Sequence, residues 1–173
     1  MGMTYRIVAT NRSPKEYLQS RKVGYAGKRV PSWELVNDMI FDNENLSRLC
    51  KVNKKDWIDD GAFLMTKAHA LNGIKTLTDL KEKVASMPFT EYGEAEHIYY
   101  DSEAEKAVNR YEGSQENIAI LMAVESVLSR AYHFSFPWES KTYNPVDGMI
   151  EALENVVEYI DAHPKDSIIA LYY

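Results

Sequence analysis

An apolar run closes this sequence: Ser167-Ile168-Ile169-Ala170-Leu171-Tyr172-Tyr173. Because successive side chains of an extended chain point to opposite faces, this run predicts a β-strand that is buried on both sides. A second run, rich in β-branched residues, lies near the other end: Thr4-Tyr5-Arg6-Ile7-Val8-Ala9-Thr10. An exposed apolar strand would promote aggregation, so we expect these two strands to pair inside a small sheet.

The stretch between these two strands carries helix signals along most of its length. Residues that cap helix N-termini stand before apolar residues spaced three or four apart, a pattern typical of amphipathic helices. The pattern predicts about six helices, over residues 32–41, 53–73, 76–87, 102–111, 115–132 and 145–163. We expect Gly73 to end the second of them. Ser13-Pro14 predicts a shorter helical turn before an exposed loop over residues 21–31, and residues 97–100 have the composition of a short strand.

Length and composition indicate one domain that needs neither a metal nor a disulfide to fold. The chain has 173 residues, of which 45% are hydrophobic and 27% charged, and its net charge is −6. These values exclude a disordered or a membrane protein and argue against a dedicated nucleic-acid binder. Cys50 is the single cysteine and no signal segment opens the chain, so we expect a cytoplasmic protein. The sequence predicts one mainly helical α+β domain over residues 1–173, with a small sheet pairing the N- and C-terminal strands.

The predicted last helix separates an apolar side from an acidic side. Its apolar residues recur three or four apart and form one stripe. The opposite side carries no base and five carboxylates, which we name the acidic ridge: Asp147, Glu151, Glu154, Glu158 and Asp161. Such a face is typical of a docking surface for a basic partner, of a partial mimic of a phosphate backbone, or of a solvated helix in an acidic protein.

The predicted helix over residues 115–132 is apolar around most of its circumference, which indicates a buried position. Glu125 projects among these apolar residues, where a carboxylate would lose water and need a partner. It is either a general acid/base, with His133 and His97 as further candidate catalytic residues, or a structural ion-pair partner. No glycine-rich phosphate loop occurs, and the four histidines are scattered. We therefore predict neither a cofactor nor a metal site.

The first 33 residues are basic, with seven Lys or Arg side chains and one Glu. Tyr17 and Tyr25 lie among these bases, a combination that also occurs in segments that bind nucleic acid. The same bases suit ion pairs with the protein's own acidic residues or with those of a second copy, which leaves a homo-oligomer open. We favour these ion pairs over nucleic acid.

Several short motifs follow one another in an order that can be compared with that of known protein families. Met1-Gly2-Met3 precedes the first strand, Ser13-Pro14-Lys15-Glu16 follows it, Lys54-Lys55-Asp56-Trp57 and Phe136-Pro137-Trp138 come later, and a helix and an apolar strand close the chain. In this order the chain resembles the YfbM-like family of small bacterial proteins over most of its length. The family has no established activity, so the resemblance implies a compact cytosolic α+β domain and no site residues.

Three functions are consistent with these patterns. The first is a small bacterial or phage binding protein, of inhibitor, immunity or regulatory type, that contacts a basic protein partner through the acidic ridge. The alternative is a small hydrolase or transferase with a site around Glu125 and His133. The third is weak nucleic-acid contact through the basic N-terminal segment. None of the three involves a membrane, and we favour the first, which is not an enzyme.

Overall fold

A computed structural model describes residues 5–37, 43–85 and 145–172. In these residues five strands form one antiparallel sheet: β1 (Tyr5–Thr10), β2 (Trp33–Val36), β3 (Trp57–Asp59), β4 (Ala62–Leu64) and β5 (Ser167–Tyr172). The same residues contain four α-helices: α1 (Pro14–Arg21), α2 (Asn43–Leu49), α3 (Lys67–Ala85) and α4 (Pro145–Ala162). The strand order across the sheet is β2-β1-β5-β4-β3.

The two strands from opposite ends of the chain pair with each other in the middle of the sheet. β1 and β5 run antiparallel along their whole length, from Tyr5 opposite Tyr172 to Thr10 opposite Ser167. The rings of Tyr5 and Tyr172 lie 4.9 Å apart, a distance at which aromatic side chains stabilise a cross-strand pair. The predicted pairing of the terminal strands is therefore confirmed.

The prediction of a mainly helical domain with about six helices is wrong. Four α-helices accompany a five-stranded sheet in the described residues, so the fold is α+β with a larger sheet than expected. Residues 33–36, predicted as helix, form β2 at the edge of the sheet. This segment becomes a strand because β1 would otherwise present unpaired backbone N–H and C=O groups along its outer edge.

Residues 53–64, predicted as the start of a long helix, form a short turn and a hairpin. The Asn53 N–H donates to the Asp56 carboxylate (3.2 Å), as expected for a helix start, but the helix is a single 3₁₀ turn, Lys54–Asp56. The chain then enters the antiparallel pair of β3 and β4. Trp57 and Phe63 lie opposite each other in this pair, with ring centroids 5.2 Å apart. Cross-strand packing thus replaces the helical arrangement of the same apolar residues.

α3 begins at Lys67 and continues to Ala85 without a break. Gly73 lies inside this helix, so the prediction that it ends a helix is wrong, and Thr76 lies inside it as well. A Cβ atom at Gly73 would stand 2.8 Å from both the Cys50 Sγ and the Leu153 Cδ1. Glycine is present because Cys50, the residue that follows α2, and Leu153 of α4 approach the backbone of α3 at this point, and not because the chain turns there.

The core of the sheet has two faces, since successive residues of each strand point to opposite sides. On one face Val8, Ile169 and Leu171 cluster with Ala62 and with the buried Tyr17 of α1. The residues that alternate with them in the two central strands are equally buried: Ile7, Ala9, Ile168 and Ala170. Both central strands therefore bury apolar residues on both faces, as the closing run of the sequence predicts for β5.

Contacts between residues group the chain into two compact units, residues 1–74 with 151–173 and residues 75–150. The first unit holds the whole sheet together with α1 and α2. The described residues of the second unit, 75–85 and 145–150, are helical. That residues 1–173 form a single domain stays a prediction. The helices predicted over residues 102–111 and 115–132, and the strand predicted over 97–100, lie outside the described residues.

Candidate functional site

α4 carries the acidic ridge opposite its buried side. Met149, Leu153 and Val156 are buried, at the spacing of three and four that places residues on one side of a helix. Glu151, Glu154 and Glu158 of the ridge are exposed. α4 runs from Pro145 to Ala162, within one residue of its predicted end. The sequence pattern thus places these three carboxylates correctly, at the surface.

The ridge carries a high density of negative charge along one line. Glu151, Glu154 and Glu158 are spaced three and four residues apart, so their carboxylates are neighbours on the helix surface. No described residue forms an ion pair with any of the three. Like charges at this spacing cost a few tenths of a kcal/mol per pair. A cationic surface that approached these carboxylates would relieve that repulsion.

The two ends of the ridge differ from its centre. Asp161 pairs with Lys67, whose Nζ lies 2.7 Å from the Asp161 Oδ1. Both side chains are about half exposed, so the pair contributes little to stability. Asp147 is half-buried in the first turn of α4, where a carboxylate interacts favourably with the helix dipole. The centre of the ridge therefore consists of the three glutamates.

The C-terminal end of α4 is closed by a compact set of polar contacts. The phenol of Tyr159 donates a 2.6 Å hydrogen bond to the Asp166 carboxylate, and its ring stacks on His163 at 4.2 Å. Burial, together with this hydrogen bond and the charge of Asp166, raises the pKa of Tyr159 to about 12. These contacts connect the last turn of α4 to the residues that lead into β5.

The bases of the N-terminal segment have several different partners. The Arg6 guanidinium pairs with Glu34 of β2 at 2.9 Å. Arg21 lies over the ring of Tyr17, 6.0 Å from its centroid. The Arg29 guanidinium donates a hydrogen bond to the Ser20 carbonyl at the end of α1. Arg12 and Lys28 line a pocket next to α1. The basic composition of residues 1–33 therefore does not amount to one continuous cationic face.

The candidate catalytic residues Glu125, His133 and His97 lie outside the described residues. Cys50 is fully buried, and burial raises the pKa of its thiol to about 12, so the reactive thiolate is strongly disfavoured. This is the environment of a packing residue. No group of three or more His, Cys, Asp or Glu side chains in the described parts of the chain is arranged to hold a metal ion.

His69 is buried at the start of α3 and has a structural role there. Its Nδ1 accepts a hydrogen bond from the Thr66 N–H (3.1 Å), while the Thr66 hydroxyl accepts from the His69 N–H (3.2 Å). The His69 Nε2 lies 3.5 Å from the Asp56 carboxylate. The two residues therefore satisfy N–H groups that the first turn of a helix leaves without an intrahelical partner.

No family model, curated protein or solved structure matches this chain. The similarity to the YfbM-like family stays a prediction that rests on the short motifs alone. Within the described residues no helix combines the length and the apolar character that crossing a membrane requires.

Two features of the described surface, an ion pair and a pocket, could not be predicted from the sequence. Lys67 and Asp161 are 94 residues apart, and only the fold brings them together. The pocket around Arg12 and Lys28 depends on how the segment after α1 folds back. Its one local signal is the pair of glycines, Gly24 and Gly27, in a basic segment.

Proposed function

We propose that this protein is a small cytoplasmic binding protein, of inhibitor, immunity or regulatory type, that captures a basic protein partner through the centre of its acidic ridge. The observation that carries the proposal is the position of Glu151, Glu154 and Glu158. They lie exposed in one line on a helix whose other side is buried, and no described residue neutralises them.

The charge of the ridge suits a protein partner with a complementary basic surface. Carboxylates in a row raise the rate of association with a cationic patch and disfavour acidic partners. A bacterial or phage protein of this kind would act by covering a basic functional surface, such as one that binds nucleic acid. The ridge would occupy that surface as a partial mimic of a phosphate backbone.

The first experiment reverses charge at the centre of the ridge. We expect the double variant Glu154→Lys/Glu158→Lys to lose capture of a basic partner from a host lysate at low salt, where wild-type protein retains it. The fold of the variant should remain intact, because both side chains are exposed and the two lysines remove the repulsion between neighbouring carboxylates of the ridge. Circular dichroism and thermal unfolding check this.

A matched control separates the effect of charge reversal on the ridge from the effect of a changed net charge. The variant Asp60→Lys/Glu82→Lys makes the same change in charge at two exposed positions off the ridge. We expect this control to capture the same partner as the wild type, and we expect high salt to release it. Equal capture by the ridge variant and the control would contradict the proposal, as would a partner that high salt leaves bound.

The basic partner could also be a second copy of this chain, and the same ridge variant distinguishes this case from a different protein. The N-terminal segment is basic, so a homo-oligomer would place that segment against the ridge of another copy. Sedimentation of the purified wild-type protein at low salt would then show an assembly that the ridge variant does not form. A hydrolase or transferase around Glu125 and His133, and nucleic-acid contact through the N-terminal segment, remain the weaker alternatives.

A further inference from the structure

A pocket of about 360 Å³ lies between α1, the residues that follow β1 and the segment that returns to β2. We name residues 22–31 the return segment. The side chains that matter for the pocket's chemistry are Arg12, Glu16, Gln19, Tyr25, Lys28 and Arg29. This pocket is a separate feature from the acidic ridge of α4, and its ligand chemistry is independent of the proposed function.

The return segment is fastened to its surroundings by hydrogen bonds at its far end. The buried Ser20 hydroxyl donates to the Tyr17 carbonyl (2.8 Å) and accepts from the Val30 N–H (3.2 Å). The Arg29 guanidinium donates to the Ser20 carbonyl, and the Thr10 hydroxyl donates to the Pro31 carbonyl (2.9 Å). The part of the pocket wall formed by Arg29, Val30 and Pro31 is therefore fixed before any ligand arrives, which reduces the entropy lost on binding.

The side chains around the pocket favour an anion. Arg12, Lys28 and Arg29 are cationic, and Glu16 is the one carboxylate among the lining residues. Glu16 is already engaged, because its carboxylate accepts the Ser13 N–H (3.2 Å) in the cap of α1. Arg12 and Lys28 have no ion pair with any described residue. Two guanidinium groups and an ammonium group around one space suit a phosphate, whose oxygens accept several charge-assisted hydrogen bonds.

Tyr25 adds an aromatic wall to this cationic pocket. Its phenol end lies against the Cα of Gly27, since a Cβ built there would stand 2.4 Å from the Tyr25 hydroxyl oxygen. Gly24, at φ +79°, gives the return segment the left-handed turn that leads into this arrangement. Tyr25 as a whole residue remains 36% exposed, which leaves it accessible to a planar ligand.

We propose that this pocket binds a phosphorylated nucleoside, with the phosphate on Arg12, Lys28 and Arg29 and the base against Tyr25. The pocket volume is at the lower end of the range for small-molecule sites, roughly 300–1,000 Å³, and suits one nucleotide. The phosphate belongs either to a free mononucleotide or to one unit of a nucleic-acid strand. Both sources share the chemistry that the pocket recognises.

Calorimetric titration of the full chain tests this proposal with adenosine 5′-monophosphate, adenosine and inorganic phosphate as probes. We expect the monophosphate to bind at least about tenfold more tightly than adenosine or inorganic phosphate alone, because it makes the charge-assisted contacts of the phosphate and the aromatic contact of the base together. The variant Arg12→Ala/Lys28→Ala should weaken that binding by about tenfold or more. The control Lys15→Ala/Lys22→Ala removes the same charge from exposed positions outside the pocket and should bind like the wild type.

The variant Gly27→Ala tests the aromatic wall without changing any charge. The backbone of Gly27 does not adopt a left-handed φ, so alanine is tolerated there, but its Cβ must push the Tyr25 ring aside. We expect the monophosphate to bind this variant about five- to tenfold more weakly, the effect of losing one stacking contact. Unchanged binding would contradict the placement of the base.

A short single-stranded oligonucleotide distinguishes the two sources of the phosphate. Tighter binding of the oligonucleotide than of the mononucleotide, lost in Arg12→Ala/Lys28→Ala, assigns the pocket to a strand, and the reverse order assigns it to the free nucleotide. Absence of monophosphate binding by the folded wild type would overturn the proposal. So would equal losses in the pocket variant and the Lys15→Ala/Lys22→Ala control, or binding of an acidic ridge peptide in place of any nucleotide.

Discussion

Gly73 in the middle of α3 lies directly against Cys50, the residue that follows α2, so close that a Cβ on the glycine would stand 2.8 Å from the cysteine Sγ. The Cδ1 of Leu153 in α4 would be at the same distance from that Cβ. Two segments of the first unit, one after α2 and one in α4, therefore meet the backbone of α3 at a single residue. The packing at this point depends on the absence of a side chain.

The variant Gly73→Ala should destabilise the protein even though alanine favours helix. The gain in helix propensity is about 1 kcal/mol, but overpacking of a filled core costs roughly 1–3 kcal/mol or more. The matched control is Gly148→Ala in α4, where no described atom lies within 4 Å of the new Cβ. We expect the urea midpoint to fall for the first variant and to rise for the second. A rise in both would contradict the close packing around Gly73.

The thiol of Cys50 should be almost unreactive in the folded protein. Its side chain is fully buried, and its pKa is raised to about 12, so both access and thiolate formation are suppressed. We expect an aromatic disulfide reagent at mildly alkaline pH to react roughly a hundredfold or more slowly with the folded than with the urea-unfolded chain. A Lys22→Cys/Cys50→Ala variant places the thiol at an exposed position and should react at the unfolded rate. Rapid labelling of native Cys50 would show that the site opens to solvent.

The hydrogen bond between Tyr159 and Asp166 should make stability depend on pH in the alkaline range. The pKa of Tyr159 is raised from 10.0 to about 12 in the fold, so the fold favours the neutral phenol. The stabilisation is complete below pH 10.0 and is lost as the pH rises toward about 12. We expect Tyr159→Phe to lower the free energy of unfolding by about 1 kcal/mol at neutral pH.

The difference between the wild type and Tyr159→Phe should disappear as the phenol of the wild type ionises. Urea unfolding of both proteins at neutral pH and at several alkaline values measures this difference directly. Other groups that titrate in the same range, Cys50 among them, are common to both proteins and cancel in the comparison. A difference that stays constant through this range would show that the hydrogen bond to Asp166 does not stabilise the neutral phenol.

Two segments that were predicted as helix form strands, and in both the prediction rested on a short apolar run whose spacing also fits a helix. Trp33–Val36 fits helical spacing beyond Ser32, yet it forms a strand because the free edge of β1 lies beside it. The hairpin of β3 and β4 had a local signal of its own: Asp60-Gly61, a dipeptide typical of tight hairpin turns, stands between two apolar stretches. The apolar residues on either side also have helical spacing, and the sequence-based prediction of a helix followed that spacing and not the turn dipeptide.

The sequence by itself determined the elements whose signals are complete within a few residues. Ser13 and Glu16 cap α1 reciprocally, β5 is apolar on both faces, and α4 has a helical apolar stripe with carboxylates opposite it. Only the tertiary structure decided that Trp33–Val36 extends the sheet, that Gly73 is a packing contact and that Lys67 meets Asp161. Strand edges, space for a Cβ and ion pairs between distant residues depend on which segments become neighbours. No local pattern of residues contains that information.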